Sequence, residues 1–307
     1  MRRRTGILVL TLALMAAACG DNPVAGPSPS PQRGSFPVTV EAVGGPVTME
    51  NRPERIVSLS PTATEMLFAI GAGDQVVAVD DQSTFPPEAP ITDLSGFEPN
   101  VEAIAGYEPD LVVIANDISD LVGSLEGLDI PVLLQPAAED LEGTYEQLGQ
   151  LGELTGRQAG AAEVVGEMRR RVEELLEGVP EWLQAPTYYY ELDPTFFTVT
   201  SDTFVGQIFA VVGLQSIADE AEGAGSGYPQ LSSEFIVAAN PDFIFLADTK
   251  CCGESAETVA ARPGWDRIEA VQEGNVVALD DDVASRWGPR VVDLLEVVVE
   301  AVSGAGA

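Results

Sequence analysis

Histidine is missing from all 307 positions, and lysine occurs once, at Lys250. Without imidazole the chain has no His-ligated zinc, no Ser-His-Asp relay and no side chain that ordinarily titrates near pH 7. Basic residues are scarce: 15 Lys and Arg against 49 Asp and Glu give a formal net charge of −34, so no extended cationic surface is left for nucleic acid. Cysteine is limited to Cys19, Cys251 and Cys252, too few for a disulfide scaffold or a four-ligand zinc site. The apolar run at residues 7–18, interrupted only by Thr11, is too short to span a bilayer as a mature helix. What remains, 45% hydrophobic and 21% charged, is the composition of a globular chain, with length for two to three domains of about 100–200 residues.

Arg2-Arg3-Arg4 precedes the apolar run, which ends in Ala16-Ala17-Ala18 before Cys19. Charged start, apolar middle and small-residue end describe a signal peptide over residues 1–18. The border resembles the lipobox of bacterial lipoproteins, which implies cleavage before Cys19 coupled to its acylation. An ordinary secretory cleavage, or twin-arginine export through Arg3-Arg4, are the alternatives. Loss of residues 1–18 leaves 12 basic against 49 acidic side chains, a strongly acidic exported domain. Residues 19–35 read as the acylated N-terminus and a flexible tether, since residues 21–35 hold four prolines and little that packs. The expected location is extracytoplasmic, on a membrane through a lipid anchor only.

Residues 36–49 form two alternating segments about Gly44-Gly45, a hairpin pattern. The texture then becomes α/β. Strands are expected at 55–59, 76–79, 111–115 and 131–134, with helices at 62–70, 100–106 and 119–127. Thr62, with Glu65 three residues on, reads as a capping box. Helical periodicity runs through 141–154 and again through 158–177, where Ala161, Val165, Met168 and Val172 share one side. Alternation resumes with strands at 187–191, 242–246 and 275–279 and helices at 203–211, 232–238, 255–260 and 288–302. The boundaries follow: 36–140 an N-terminal lobe, 141–180 a helical segment including the long helix 158–177, and 181–307 a C-terminal lobe.

An internal match at offset 132 links the halves. Glu102, Pro109 and Asp110, followed by Leu-Val-Val-Ile-Ala, align without gaps with Glu234, Pro241 and Asp242, followed by Phe-Ile-Phe-Leu-Ala. Each copy reads as a helix opened by glutamate, a Pro-Asp turn and a buried strand. Loops after the strands collect Asp80, Phe85, Asn116, Phe197, Tyr228 and Asp282, with Arg286 and Trp287 beyond. Strand-end loops are where α/β domains bind ligands, and rings among polar groups suit a large, partly apolar one.

Several stretches, in order, are similar to the extracytoplasmic solute-binding proteins of ABC importers for ferric siderophores, haem and cobalamin. They are Pro53 to Glu65 with Gly71-Ala-Gly73, Phe85-Pro-Pro, Asn100-Val-Glu102 with Pro109-Asp110, Leu231-Ser-Ser-Glu234 with Pro241-Asp242, and Trp287-Gly-Pro-Arg290. The resemblance implies an α/β fold of two Rossmann-like lobes joined by one long rigid helix, and a cleft ligand rather than catalysis. It also implies that Glu102 and Glu234 dock a permease dimer with its ATPase. The resemblance is closest to the cobalamin-binding branch, where Phe85, Tyr228, Asp282 and Arg286 match cleft positions and Phe197 matches more loosely, with Asn116 added as a ligand-binding candidate from its strand-end loop. Gly96, beside Phe97, and Asn116 stand where that branch has tryptophans. The implied ligand is cobalamin or a related corrinoid, with a ferric siderophore or haem as alternatives. No intrinsic cofactor or metal site is implied, only a transported cobalt corrinoid or ferric chelate.

Cys251 and Cys252 are adjacent, so a vicinal disulfide, strained by its geometry, a pair of free or partly buried thiols, or a direct ligand or metal role are the readings. Asp280-Asp281-Asp282 lacks EF-hand spacing and reads as a solvated acidic turn. Arg290 is expected to open the last helix facing solvent. Glu191 and Asp193 could be drawn as a glycosidase pair, but no catalytic motif accompanies them. An exported hydrolase and a structural surface lipoprotein are the remaining function classes.

Overall fold

The computed structural model describes residues 36–221 and 224–305. The expected signal peptide, Cys19 and the tether lie outside the described residues. A hairpin comes first, β1 (Val38–Ala42) against β2 (Gly45–Met49), with Val38 opposite Met49. Then follow β3 (Ile56–Leu59), α1 (Pro61–Ala69), β4 (Val76–Val79), α2 (Val101–Ala105), β5 (Leu111–Ile114), α3 (Leu121–Glu126) and β6 (Val132–Leu134). These four strands are parallel in the order β4-β3-β5-β6. Ile56, Val57 and all of β5 are buried, as a parallel sheet covered on both faces requires.

Two helices, α4 (Leu141–Thr155) and α5 (Gln158–Leu176), lead to the second half. It comprises β7 (Thr187–Glu191), α6 (Phe204–Val211), β8 (Gln215–Ser216), α7 (Ser233–Ala239), β9 (Phe243–Leu246), α8 (Thr249–Cys252), α9 (Ala256–Ala260), α10 (Glu269–Gln272), β10 (Val276–Ala278), α11 (Asp281–Ala284) and α12 (Val291–Ala305). Its parallel sheet has the order β10-β9-β7-β8. Counted within each half, both sheets run second, first, third, fourth strand. The architecture is the expected pair of Rossmann-like lobes.

The Pro-Asp turns explain the repeat. Asp110 accepts hydrogen bonds from the backbone N–H groups of Glu54 and Arg55 at 3.0 and 2.9 Å, pinning the start of β3 to its neighbour β5. Asp242 accepts from the N–H and hydroxyl of Thr187 at 2.7 and 2.9 Å, pinning β7 to β9 in the same way. Arg55 and Thr187 are again 132 residues apart, so the offset extends beyond the matched segment. Each aspartate satisfies strand-start donors that would otherwise be left unpaired.

Helix α5 is unbroken for 19 residues, about 28 Å at 1.5 Å per residue. Only Ala161 and Met168 in it are buried, and Arg171 reaches Asp293 and Glu296 of α12 at 3.0 and 2.9 Å. It is not a bare strut, however. One apolar cluster runs from Val40 and Met66 through Ala161 and Met168 to Tyr190, Phe245 and Val302. Gly160 lets α5 approach the end of α1, because a Cβ there would overlap the Ile70 carbonyl.

Two local readings are corrected. The N-cap of α1 is Ser60, whose Oγ accepts from the Ala63 N–H, with Pro61 in the first turn; Pro61 lacks an N–H and suits that place, so Thr62 lies inside the helix and Glu65 closes no capping box. The last helix starts at Val291 rather than at 288. Among the described residues no helix is long and apolar enough to cross a membrane.

Candidate functional site

A crevice of about 300 Å³ opens at the carboxyl ends of β3 and β5, lined by Leu59, Ser60, Gly96, Phe97 and Asn116 on one side and by Asp282, Arg286 and Trp287 on the other. β3 and β5 are the first and third strands, between which the strand order reverses; this is where doubly wound sheets take ligands. A larger hollow of about 420 Å³ follows α4 through Gln135, Asp140 and Glu146, just past the carboxyl end of β6.

The floor on the first-lobe side is a hydrogen-bonded series of buried groups. Thr64 Oγ1 donates to Ser58 Oγ at 2.9 Å and lies 2.9 Å from Ser83 Oγ, which donates to Asp80 Oδ1 at 2.5 Å. Burial pushes the Asp80 carboxyl above the usual aspartate range, only partly opposed by the Ser83 hydrogen bond. Gly96 lies against this floor: a Cβ would come within 2.8 Å of Asp80 Oδ2 and 2.9 Å of the Leu59 carbonyl. A bulky ring at position 96 is thereby excluded, and Phe97 beside it is 69% exposed.

Opposite the floor stands a cluster of charges. Glu65, on α1 and 2% exposed in its side chain, receives Arg286 Nη1 at 2.7 Å and both Nε and Nη2 of Arg290 at 2.9 and 2.5 Å. Arg286 Nη2 also donates to the Gln82 carbonyl and to Asp282 Oδ1, both at 3.0 Å. Asp282 in turn meets Lys250 Nζ at 3.0 Å. The expectation that Arg290 faces solvent is overturned, because its guanidinium forks onto Glu65 and stacks 4.2 Å over the Phe85 ring. Sequence reasoning read Glu65 as a cap; its spacing to the arginines, more than two hundred residues away, carries no local signal.

Of the nominated residues, Asn116, Asp282 and Arg286 share the crevice. Phe85 lies next to it, in a hollow with Phe68, Pro289 and Arg290. Phe197 and Tyr228 are 38% and 49% exposed, on two segments joined by a Phe197–Gln230 bridge, and neither lines the crevice that holds Arg286. Glu102 and Glu234 are exposed second residues of α2 and α7, behind the caps Asn100 and Ser232. Neither forms an ion pair with a described residue.

The acidic turn is solvated in part, with Asp280 exposed, and in part built into the lobe. Asp280 caps α11, and Asp281 accepts from the N–H groups of Thr249, Lys250 and Cys251 at 3.0, 2.9 and 2.9 Å, holding α8. On α8 the structure pairs Cys251 with Cys252 as a disulfide. Glu191 is fully buried and gripped by Arg262 through two 2.6 Å bonds, while Asp193 closes a turn onto Thr195; the two make no glycosidase pair. Asp248, also fully buried, has no hydrogen-bond partner for either carboxyl oxygen among the described residues. Burial, with Glu191 and Glu254 nearby, pushes its pKa up to about 7. No group of three or more His, Cys, Asp or Glu among the described residues is arranged to hold a metal ion.

Residues 56–283 match the family model described as periplasmic binding protein. The chain belongs to that family. Among relatives of this periplasmic binding protein is an uncharacterized ABC transporter substrate-binding lipoprotein, YvrC, of Bacillus subtilis, 31% identical over 98% of each chain. A cobalamin-binding protein of Halobacterium salinarum is 33% identical over 93% of this chain and 79% of that one. Among solved structures, the periplasmic vitamin B12 binding protein BtuF of Vibrio cholerae superposes with a TM-score of 0.70 at 26% identity, covering 83% of this chain and 98% of that one. The family of this periplasmic binding protein is one of transporter binding proteins rather than enzymes.

Proposed function

We propose that the protein is the lipid-anchored substrate-binding subunit of an ABC importer, and that it captures cobalamin or a related corrinoid between its lobes for delivery to a permease. The observation that carries this reading is the crevice at the ends of β3 and β5, faced by Asp282, Arg286 and Trp287. The cobalamin and vitamin B12 names of relatives support the ligand. Asn116, Asp282 and Arg286 supply donors and acceptors for amide and phosphate groups, while Phe85, Phe197 and Tyr228 offer exposed rings toward an apolar body. Cys19 carries the lipid. Glu102 and Glu234, exposed at matching places in the two lobes and without ion pairs among the described residues, engage basic patches of a two-fold permease, fixing orientation.

A ferric siderophore is the second reading, favoured by the modest crevice volume of about 300 Å³. Titration of the delipidated protein with cyanocobalamin, haem and a siderophore panel, followed by tryptophan fluorescence, separates them. Saturable one-to-one binding of cyanocobalamin supports the first reading; tight binding of a siderophore alone replaces it with the second.

A further inference from the structure

We infer that Glu65 is a positioning residue for the ligand site: it fastens residues 286–290, which come from the C-terminal half of the chain, onto the first lobe and so fixes Arg286 at the crevice. The inference rests on the proposed binding function. Six hydrogen bonds run from this segment to residues 65–147. Arg286 bonds Glu65 and the Gln82 carbonyl at 2.7 and 3.0 Å, and Arg290 bonds Glu65 twice, at 2.9 and 2.5 Å. The Trp287 carbonyl accepts from Thr144 Oγ1 at 3.0 Å, and its indole N–H donates to Gln147 Oε1 at 2.9 Å. Gly288 is buried against α1, where a Cβ would lie 3.5 Å from Glu65 Oε2. Against these, Arg286 has a single side-chain bond to its own half, at Asp282.

The segment is thus a second crossing between the lobes, beside α5. Glu65 is its centre, because one buried carboxylate serves two guanidinium groups, and removal of the acid leaves Arg290 without its ion-pair partner and Arg286 with Asp282 alone. An arginine with three acceptors already engaged keeps its orientation when the crevice is empty, which lowers the ordering cost when a ligand arrives. Arg286 therefore moves with the first lobe, while Asp282 reports the position of the second.

The test compares the wild type with Glu65→Asp, Glu65→Gln and the double variant Glu65→Gln/Arg290→Gln, which removes one charge of each sign and guards against simple misfolding. Amide exchange of residues 284–291 is measured without ligand, and cyanocobalamin association and dissociation rates are measured separately. The expected result in the double variant is exchange of 284–291 and ligand dissociation each at least about tenfold faster, with β7 and β9 still protected, and Glu65→Asp in between. Unchanged exchange in 284–291, unchanged dissociation from a ligand-binding variant, or loss of protection in every strand together in all variants overturns the inference. If the wild type binds no cyanocobalamin, the ligand reading fails, and the exchange arm alone decides whether Glu65 holds the segment.

Discussion

At the carboxyl end of β3 the first lobe buries small hydroxyls running to a carboxyl, Ser58, Thr64, Ser83 and Asp80, each bonded to the next, beside the buried Glu65 carboxylate. At the matching end of β7 the second lobe buries Glu191 beneath Arg262, with Glu254 on the same guanidinium and, nearby, Asp248, whose carboxyl oxygens have no hydrogen-bond partner among the described residues. Arg262 also lies 4.6 Å over Trp265 and 5.5 Å over Phe196. The strand plan is common to both lobes, and so is the Asp110 and Asp242 pinning; the strand ends have diverged. The hydroxyl series leaves room for a crevice beside the Glu65 charge cluster, whereas at the end of β7 the arginine packs directly among acids and rings. A shared frame can therefore place the ligand chemistry on one lobe, with the strap of residues 286–290 joining that side.

Breaking the second-lobe floor has the largest expected effect. Arg262→Met strands Glu191, whose side chain is 0% exposed, and is expected to cost about 3–5 kcal/mol in urea unfolding. Ser83→Ala in the first-lobe floor is expected to cost only about 1–2 kcal/mol. Equal losses would mean that the floors do not differ in the way described. Asp110→Ala and Asp242→Ala sharpen the common part of the comparison: each leaves strand-start donors unpaired and is expected to cost about 1–3 kcal/mol, by similar amounts if the two turns are equivalent.

Much of the shared frame was legible because its signals are local. The alternation of apolar runs placed the strands of both sheets within a residue or two, and the Glu, Pro and Asp spacing found the repeat. β8 escaped notice since two residues, Gln215 and Ser216, carry no period. One-turn helices such as α8 and α11 looked like loops for the same reason. The floors were illegible for a different cause. Glu65 with Arg290, and Glu191 with Arg262, are partners only through tertiary packing, so a buried arginine reads in sequence like any exposed one.

Burial raises a carboxyl in each floor, Asp80 in the first and Asp248 in the second. Burial, with the Glu191 and Glu254 carboxylates nearby, pushes the Asp248 carboxyl up to about 7, well above the usual aspartate range, so the folded state binds the extra proton. Stability from this group is fully present below about pH 4, falls as pH rises toward 7, and is lost above that. Asp248→Asn keeps the neutral form at every pH and is expected to unfold at higher urea than the wild type at pH 8, by about 1 kcal/mol or more. A wild type at least as stable as the variant at pH 8 would contradict the burial argument. The smallest stability effects belong to Glu102→Lys and Glu234→Lys, expected within about 0.5 kcal/mol. Both are expected to abolish stimulation of the transporter ATPase while leaving ligand affinity unchanged, and an effect at only one of them would break the two-fold docking scheme.

The most direct test of a ligand gripped on the first-lobe side is a crystal structure of the protein grown with cyanocobalamin. The account predicts ligand density bounded by Leu59, Phe97, Asn116 and Trp287, with Arg286 in hydrogen-bonding reach and still joined to Glu65. Density over the Glu191–Arg262 floor, or in the hollow along α4, with the crevice at β3 and β5 empty, would contradict it.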